Sequence, residues 1–131
     1  NSTVMIEGTE MLSVSGGGHW GGGLFVDALD LARLGLLYLN QGRWGDRQVL
    51  SARWIAMTSE PCPFEPRYGF MWWLNTDGLM MPSVPHDSIS ALGAGGHLVL
   101  VDYEHDLVVV ARWLDDDHHD GFVKRVIDAL A

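Results

Sequence analysis

SALGAGGHLVLVDYEHDLVVVARW, residues Ser90 to Trp113, holds two apolar runs and the polar stretch that joins them. Leu98 to Val101 and Leu107 to Trp113 are rich in valine and leucine, the composition of a buried strand. The connection Asp102 to Asp106 is polar and short, which suits an antiparallel hairpin. Ahead of the first run stands Gly93-Ala94-Gly95-Gly96. Glycines at a strand entry permit a bulge or a close backbone approach.

Working outward, Phe122, Val123, Val126, Ile127 and Leu130 recur on one face of a terminal helix, which the pattern places on the sheet. Asp115 to Asp120 (DDDHHD) reads as a charged turn whose acids favour the helix start. Upstream, Tyr68 to Leu74 (YGFMWWL) reads as a third buried strand. Leu79 to Ser90, with Pro82 and Pro85, reads as a loop. Asp27 to Gln41 is the clearest helix: Asp27 is placed to cap it, and Gly42 to stop it. Its leucines run nearly all round, so burial on most sides is expected. Ser51 caps a short helix to about Ser59, which the prolines at 61, 63 and 66 end. Ser2 to Ser13 reads as coil with at most a short strand. The fold class is therefore α+β, an antiparallel β-sheet flanked by helices. Three strands make a thin sheet, and the apolar runs look built for burial on two sides.

Bulk properties narrow the function. The chain has 131 residues, a formal net charge of −9, 47% hydrophobic residues and 6 Trp. That is one domain or a large piece of one, and too apolar for disorder. Lys124 is the only lysine and the arginines are scattered, so nucleic acid and anionic membrane surfaces are poor partners. The single cysteine, Cys62, excludes an internal disulfide and a cysteine-rich metal site. No apolar run is long enough for a membrane span. No basic-then-apolar leader opens these residues. Compartment stays open: periplasmic, secreted and cytoplasmic locations all fit.

The second notable segment is Val14 to Gly23, VSGGGHWGGG, with six glycines around His19 and Trp20. Such a loop is shaped by its backbone and presents an imidazole and an indole to a pocket. A bystander His and a core-plug Trp are equally open on these residues alone. His118 and His119 are adjacent and cannot share a helix face as an i, i+4 ligand pair does, so no metal site is expected. No phosphate-binding loop is present, and no cofactor is expected. Ser-x-x-Lys and Gly-x-Ser-x-Gly are both absent. Tyr38-Leu39-Asn40 matches Tyr-x-Asn but lies at a helix end.

Taken in order, SGGGHWGGGLFVDALDLARLGLLYLNQGRWGDRQVLS, YGFMWWLNT and SALGAGGHLVLVDYEHDLVVVARW resemble the C-terminal part of serine hydrolases of the β-lactamase (class C-like) and penicillin-binding-protein family. The nearest branches are esterases and aminohexanoate-oligomer hydrolases. The resemblance runs from about Val14 to Trp113. It implies a β-lactamase/transpeptidase-like fold, of which residues 1–131 form a C-terminal segment lacking the Ser-x-x-Lys portion. It implies a bacterial hydrolase cleaving an ester or amide, a β-lactam among the candidates, through an acyl-enzyme. The family's strand motif aligns with Ala91-Leu92-Gly93, so the Ala94 amide is the implied oxyanion donor. Leu92, Gly93, His19 and Trp20 are the implied substrate contacts. Ala91 stands where the family often has Lys or His, which disfavours a β-lactam carboxylate. The implied partners are a small ester or amide substrate and an N-terminal half, in the same polypeptide or a second chain. The competing expectation is a non-catalytic module binding a peptide or cell-wall fragment on the same scaffold.

Overall fold

A computed structural model describes residues 2–6, 8–13 and 26–130. Its main sheet has four antiparallel strands in the order β5-β6-β7-β8: Trp73–Leu74, Ile89–Gly93, His97–Asp102 and Leu107–Ala111. Ile89–Gly93 is the strand that the sequence reading lacked, because two prolines upstream masked its start. The glycine run therefore forms a hairpin turn between two strands, and does not simply feed into one. The expected antiparallel hairpin is β7–β8, with Leu98 opposite Ala111 and Asp102 opposite Leu107. Among the described residues, β8 is paired on one side only.

Alternation sends β7 side chains to both faces, and from Leu98 to Asp102 all are buried. On one face Leu98, Leu100, Val109 and Ala111 pack with Val123 of α3 (His119–Asp128). On the other, Ile89 and Val101 pack with Tyr38 of α1 (Ala28–Leu39), and with Ile55 of α2 (Ala52–Thr58). The sheet is thus sandwiched between helices. Gly35 sets the α1 spacing: a Cβ there would lie 2.5 Å from Val108 Cγ1 and 3.3 Å from Val99 Cγ1.

The helix ends follow their caps. Asp27 accepts from the Asp30 amide at 2.8 Å, and Ser51 Oγ from the Trp54 amide at 3.1 Å. The left-handed stop of α1 falls at Gln41 (φ 53) as well as Gly42. Gln41 N bonds to Tyr38 O and Gly42 N to Leu37 O, a Schellman closure. A two-residue ribbon, β3 (Arg43–Trp44) and β4 (Arg47–Gln48), follows.

Four expectations need correction. Ser2–Ile6 and Thr9–Ser13 form an antiparallel hairpin, β1 and β2, in place of coil. Gly8 at φ 81 makes its tight turn. Only Gly35 and Tyr38 of α1 are buried; Leu29, Leu34 and Leu36 are exposed, because the described residues supply one sheet face for it. Of Tyr68 to Leu74 only Trp73–Leu74 is strand; Tyr68 to Trp72 is a tight reversal: Gly69 N bonds to Trp72 O, and Met71 sits at φ 68 with Phe70 and Met71 exposed. As expected, an acid, Asp120, lies in the first turn of α3; it accepts from Ser83 N (2.8 Å) and Ser83 Oγ (3.0 Å), and no side chain caps that helix. Leu130, expected on the packed face, is exposed.

The proline-rich loop to β6 is held by one residue. Asn75 is buried, and its Nδ2 donates to the carbonyls of Met81 and Val84 while its Oδ1 accepts from the amides of Met80 and Met81. In the preceding turn, two hydrogen bonds from Arg67 (Nε and Nη2) lower the Glu65 carboxyl to about 2. No helix among the described residues is long and apolar enough to cross a membrane.

Two measurements check this packing. Gly35→Ala should destabilise the chain by about 1–3 kcal/mol, seen as a lower urea midpoint, and Val108→Ala in the same chain should recover part of the loss. Tyr103 tests the second. Burial pushes its hydroxyl up to about 12, with Tyr38 and Asp87 adding to the shift. The unfolded chain loses that proton at about 10, so stability should fall as pH rises from there toward the folded value. The hydroxyl is buried with no partner among the described residues. Tyr103→Phe should therefore leave neutral-pH stability unchanged or higher, and flatten the alkaline decline in Tm.

Candidate functional site

The site is built on the β6–β7 turn. Gly93 pairs with His97, leaving Ala94, Gly95 and Gly96 as a three-residue loop. Gly95 and Gly96 lie at φ 88 and φ 70, conformations that side chains resist. Gly96 is pressed onto the backbone of Leu114, whose carbonyl oxygen occupies the place a Cβ would take. Leu114 N donates to Gly96 O at 3.1 Å. The turn is therefore clamped to the segment that leads into α3.

Trp113 covers the clamp. Its φ is 61, rare for a bulky residue and a strain of about 1–3 kcal/mol. Its ring stands edge-on to His97, with centroids 4.7 Å apart and planes at 67°. A Cβ on Gly95 would approach that indole to 3.0 Å. His97 Nδ1 is buried without a partner among the described residues. His97 and Trp113 thus pair beside the turn, with the indole still 75% exposed.

Ala94, the first residue of the turn, is exposed. Among the described residues no acceptor is found for its amide. Gly93 is also exposed, and as the partner of His97 it shares the α1-side face with Ala91 and Val99. Leu92 pairs with Leu98, so its side chain lies on the α3 side, 36% exposed. The structure therefore joins Gly93 and Ala94 at one tip and turns Leu92 away from them. His19 and Trp20 lie outside the described residues. His97 and Trp113 were missed as site residues. The Gly-Gly pair before His97 was the available signal; nothing in the sequence marked Trp113 as folding back.

A second polar cluster is structural. His105 Nδ1 and Asp102 Oδ2 lie 2.8 Å apart, and Asp102 Oδ1 accepts from the amides of Glu104 and His105 at 3.1 Å each. The fully buried carboxylate closes the β7–β8 turn.

No family profile matches the chain, and no curated protein does. Among solved structures the chain is similar to one described as "Putative 6-aminohexanoate-dimer hydrolase from Bacillus anthracis", with a TM-score of 0.56 at 21% identity. The chain shares the fold of part of that protein. The likeness covers 78% of this chain and 28% of the other, so these residues span little more than a quarter of its length. The α+β class expected from the sequence holds, and a hydrolase of that description carries the same arrangement of sheet and helices.

Gly96→Ala provides a direct check on the clamp. It should lower Tm and speed amide exchange across Gly93–His97, by an opening cost of about 1–3 kcal/mol. Unchanged exchange at the tip would mean that Leu114 does not hold it.

Proposed function

We propose that this chain is the C-terminal segment of a serine hydrolase that cleaves an ester or amide through an acyl-enzyme. The observation that carries the reading is the tip itself: an exposed Ala94 whose amide has no acceptor among the described residues, on a turn clamped through Gly96 to Leu114. A backbone N–H fixed before reaction suits a developing oxyanion, because no reorganisation is needed when charge appears. The sequence resemblance to class C-like serine hydrolases and the fold shared with a 6-aminohexanoate-dimer hydrolase support the same assignment.

In this reading the chain supplies one rim of the cleft. Ala94 N–H donates to the substrate carbonyl as it becomes tetrahedral, and Gly93 leaves the approach open. His19 and Trp20 contact the substrate. The attacking serine and its lysine belong to a Ser-x-x-Lys that these residues do not contain, carried by an N-terminal half in the same polypeptide or a second chain. Serine attack breaks the ester or amide bond and forms the acyl-enzyme, the alcohol or amine leaving with the serine proton; water then releases the acid and restores the serine. The alanine at position 91 places no charge beside the cleft, which favours neutral esters and amides over a β-lactam carboxylate.

The test compares two preparations on a chromogenic short-chain ester. Residues 1–131 alone should show no acylation burst; the polypeptide that also carries Ser-x-x-Lys should show one. In that enzyme Ala94→Pro, which removes the amide, should lower kcat by about 100-fold or more, with Tm as the folding control. His19→Ala should mainly raise KM. A burst from residues 1–131 alone, or an unchanged kcat with proline at 94, would remove this assignment.

A further inference from the structure

A cavity of about 270 Å³ opens on the α3 side of the sheet, away from the Gly93–Ala94 tip. Its apolar wall is Met80, Met81 and Leu92, and its rim carries Asp116, Asp117 and Asp120. His119, the first residue of α3, also lines it. That imidazole is 5% exposed, and its Nε2 is buried with no hydrogen-bond partner among the described residues. The Asp116 carboxylate is 3.9 Å away, beyond hydrogen-bond reach. A buried ring nitrogen left unpaired is costly and calls for an explanation.

The surroundings specify the sign of a ligand. No lysine or arginine lines the cavity. The α3 N-terminus contributes a partial positive charge of about half a unit, which the carboxylates of Asp116, Asp117 and Asp120 outweigh. Asp120 is held in place by Ser83. The Asp116 side chain is 79% exposed, so it is free to rotate toward a guest. A bare metal ion fits poorly: zinc takes about four ligands at short range, and among the described residues no three His, Cys, Asp or Glu groups converge.

We propose that this cavity binds a primary alkylammonium group. Its N–H donors match the carboxylates of Asp116 and Asp117 and, in the tautomer that carries its proton on Nδ1, the His119 Nε2 lone pair. Its alkyl stem lies on Met80, Met81 and Leu92. The site lies across the sheet from the Ala94 tip and does not depend on hydrolytic activity.

The probe is n-butylammonium, titrated into the chain in mildly alkaline buffer and followed by the His119 ring nitrogen signals and, in every variant, by the backbone amide signals of residues 116–120. Saturable one-site shifts are expected, with butyrate and n-butanol inert. Asp116→Asn, at an exposed position, should weaken binding by about tenfold, the effect of losing one charge-assisted hydrogen bond. His119→Phe fills the volume without the nitrogen and should abolish binding with Tm maintained. If that variant fails to fold, the Asp116→Asn titration decides alone. Absence of saturable shifts, equal affinity in Asp116→Asn, or zinc occupying the site in preference to the amine would overturn the proposal. The readout needs no nucleophile, so its failure leaves the assignment at Ala94 standing.

Discussion

The structure depends on burying β7 on both of its faces. A strand in that position has no solvent for its backbone groups, so both neighbours must be in register. Each face then needs its own apolar cover. Val123 of α3 supplies one, and Tyr38 with the close approach at Gly35 the other. The hairpin ends inherit this rigidity. The Gly93–His97 turn is the end of a strand pair whose position is set by packing several residues away.

That inheritance explains how the Ala94 amide comes to be held still. Ala94 makes no packing contribution of its own. Its position follows from the ladder behind it, from the backbone contact of Gly96 with Leu114, and from Trp113 folded onto His97. The unfavourable conformation at Trp113 is sustained by that contact, between β8 before it and the bond from Leu114 N to Gly96 O after it. Strain of this sort is commonly found where geometry is being enforced.

Much of this was readable from residue types. The strands at Leu98 and Leu107, the caps at Asp27 and Ser51, and the packed face of the last helix follow from local pattern, and local pattern is what sequence carries. Ile89–Gly93 was only half visible: Pro85 and the serines hid the start of a strand stabilised by its neighbours on either side. Tyr68 to Leu74 misled because aromatic content signals burial without signalling a reversal, and a left-handed Met71 has no sequence mark. Of the site, Gly93 and Ala94 were legible through their glycines. His97 and Trp113 were not, since their meeting depends on the chain returning after β8. The side of the sheet that Leu92 faces required the register.

The outer edge of β8 has a practical meaning. Leu107 to Ala111 carries no charge and no proline, and among the described residues its outward amides and carbonyls face no strand. Natural proteins usually guard such a border against unwanted joining. Left uncovered, it is a template on which any extended peptide, including another copy, can zip. In concentrated solution the first fault of the isolated polypeptide would then be filament or clump formation, well before loss of its folded core.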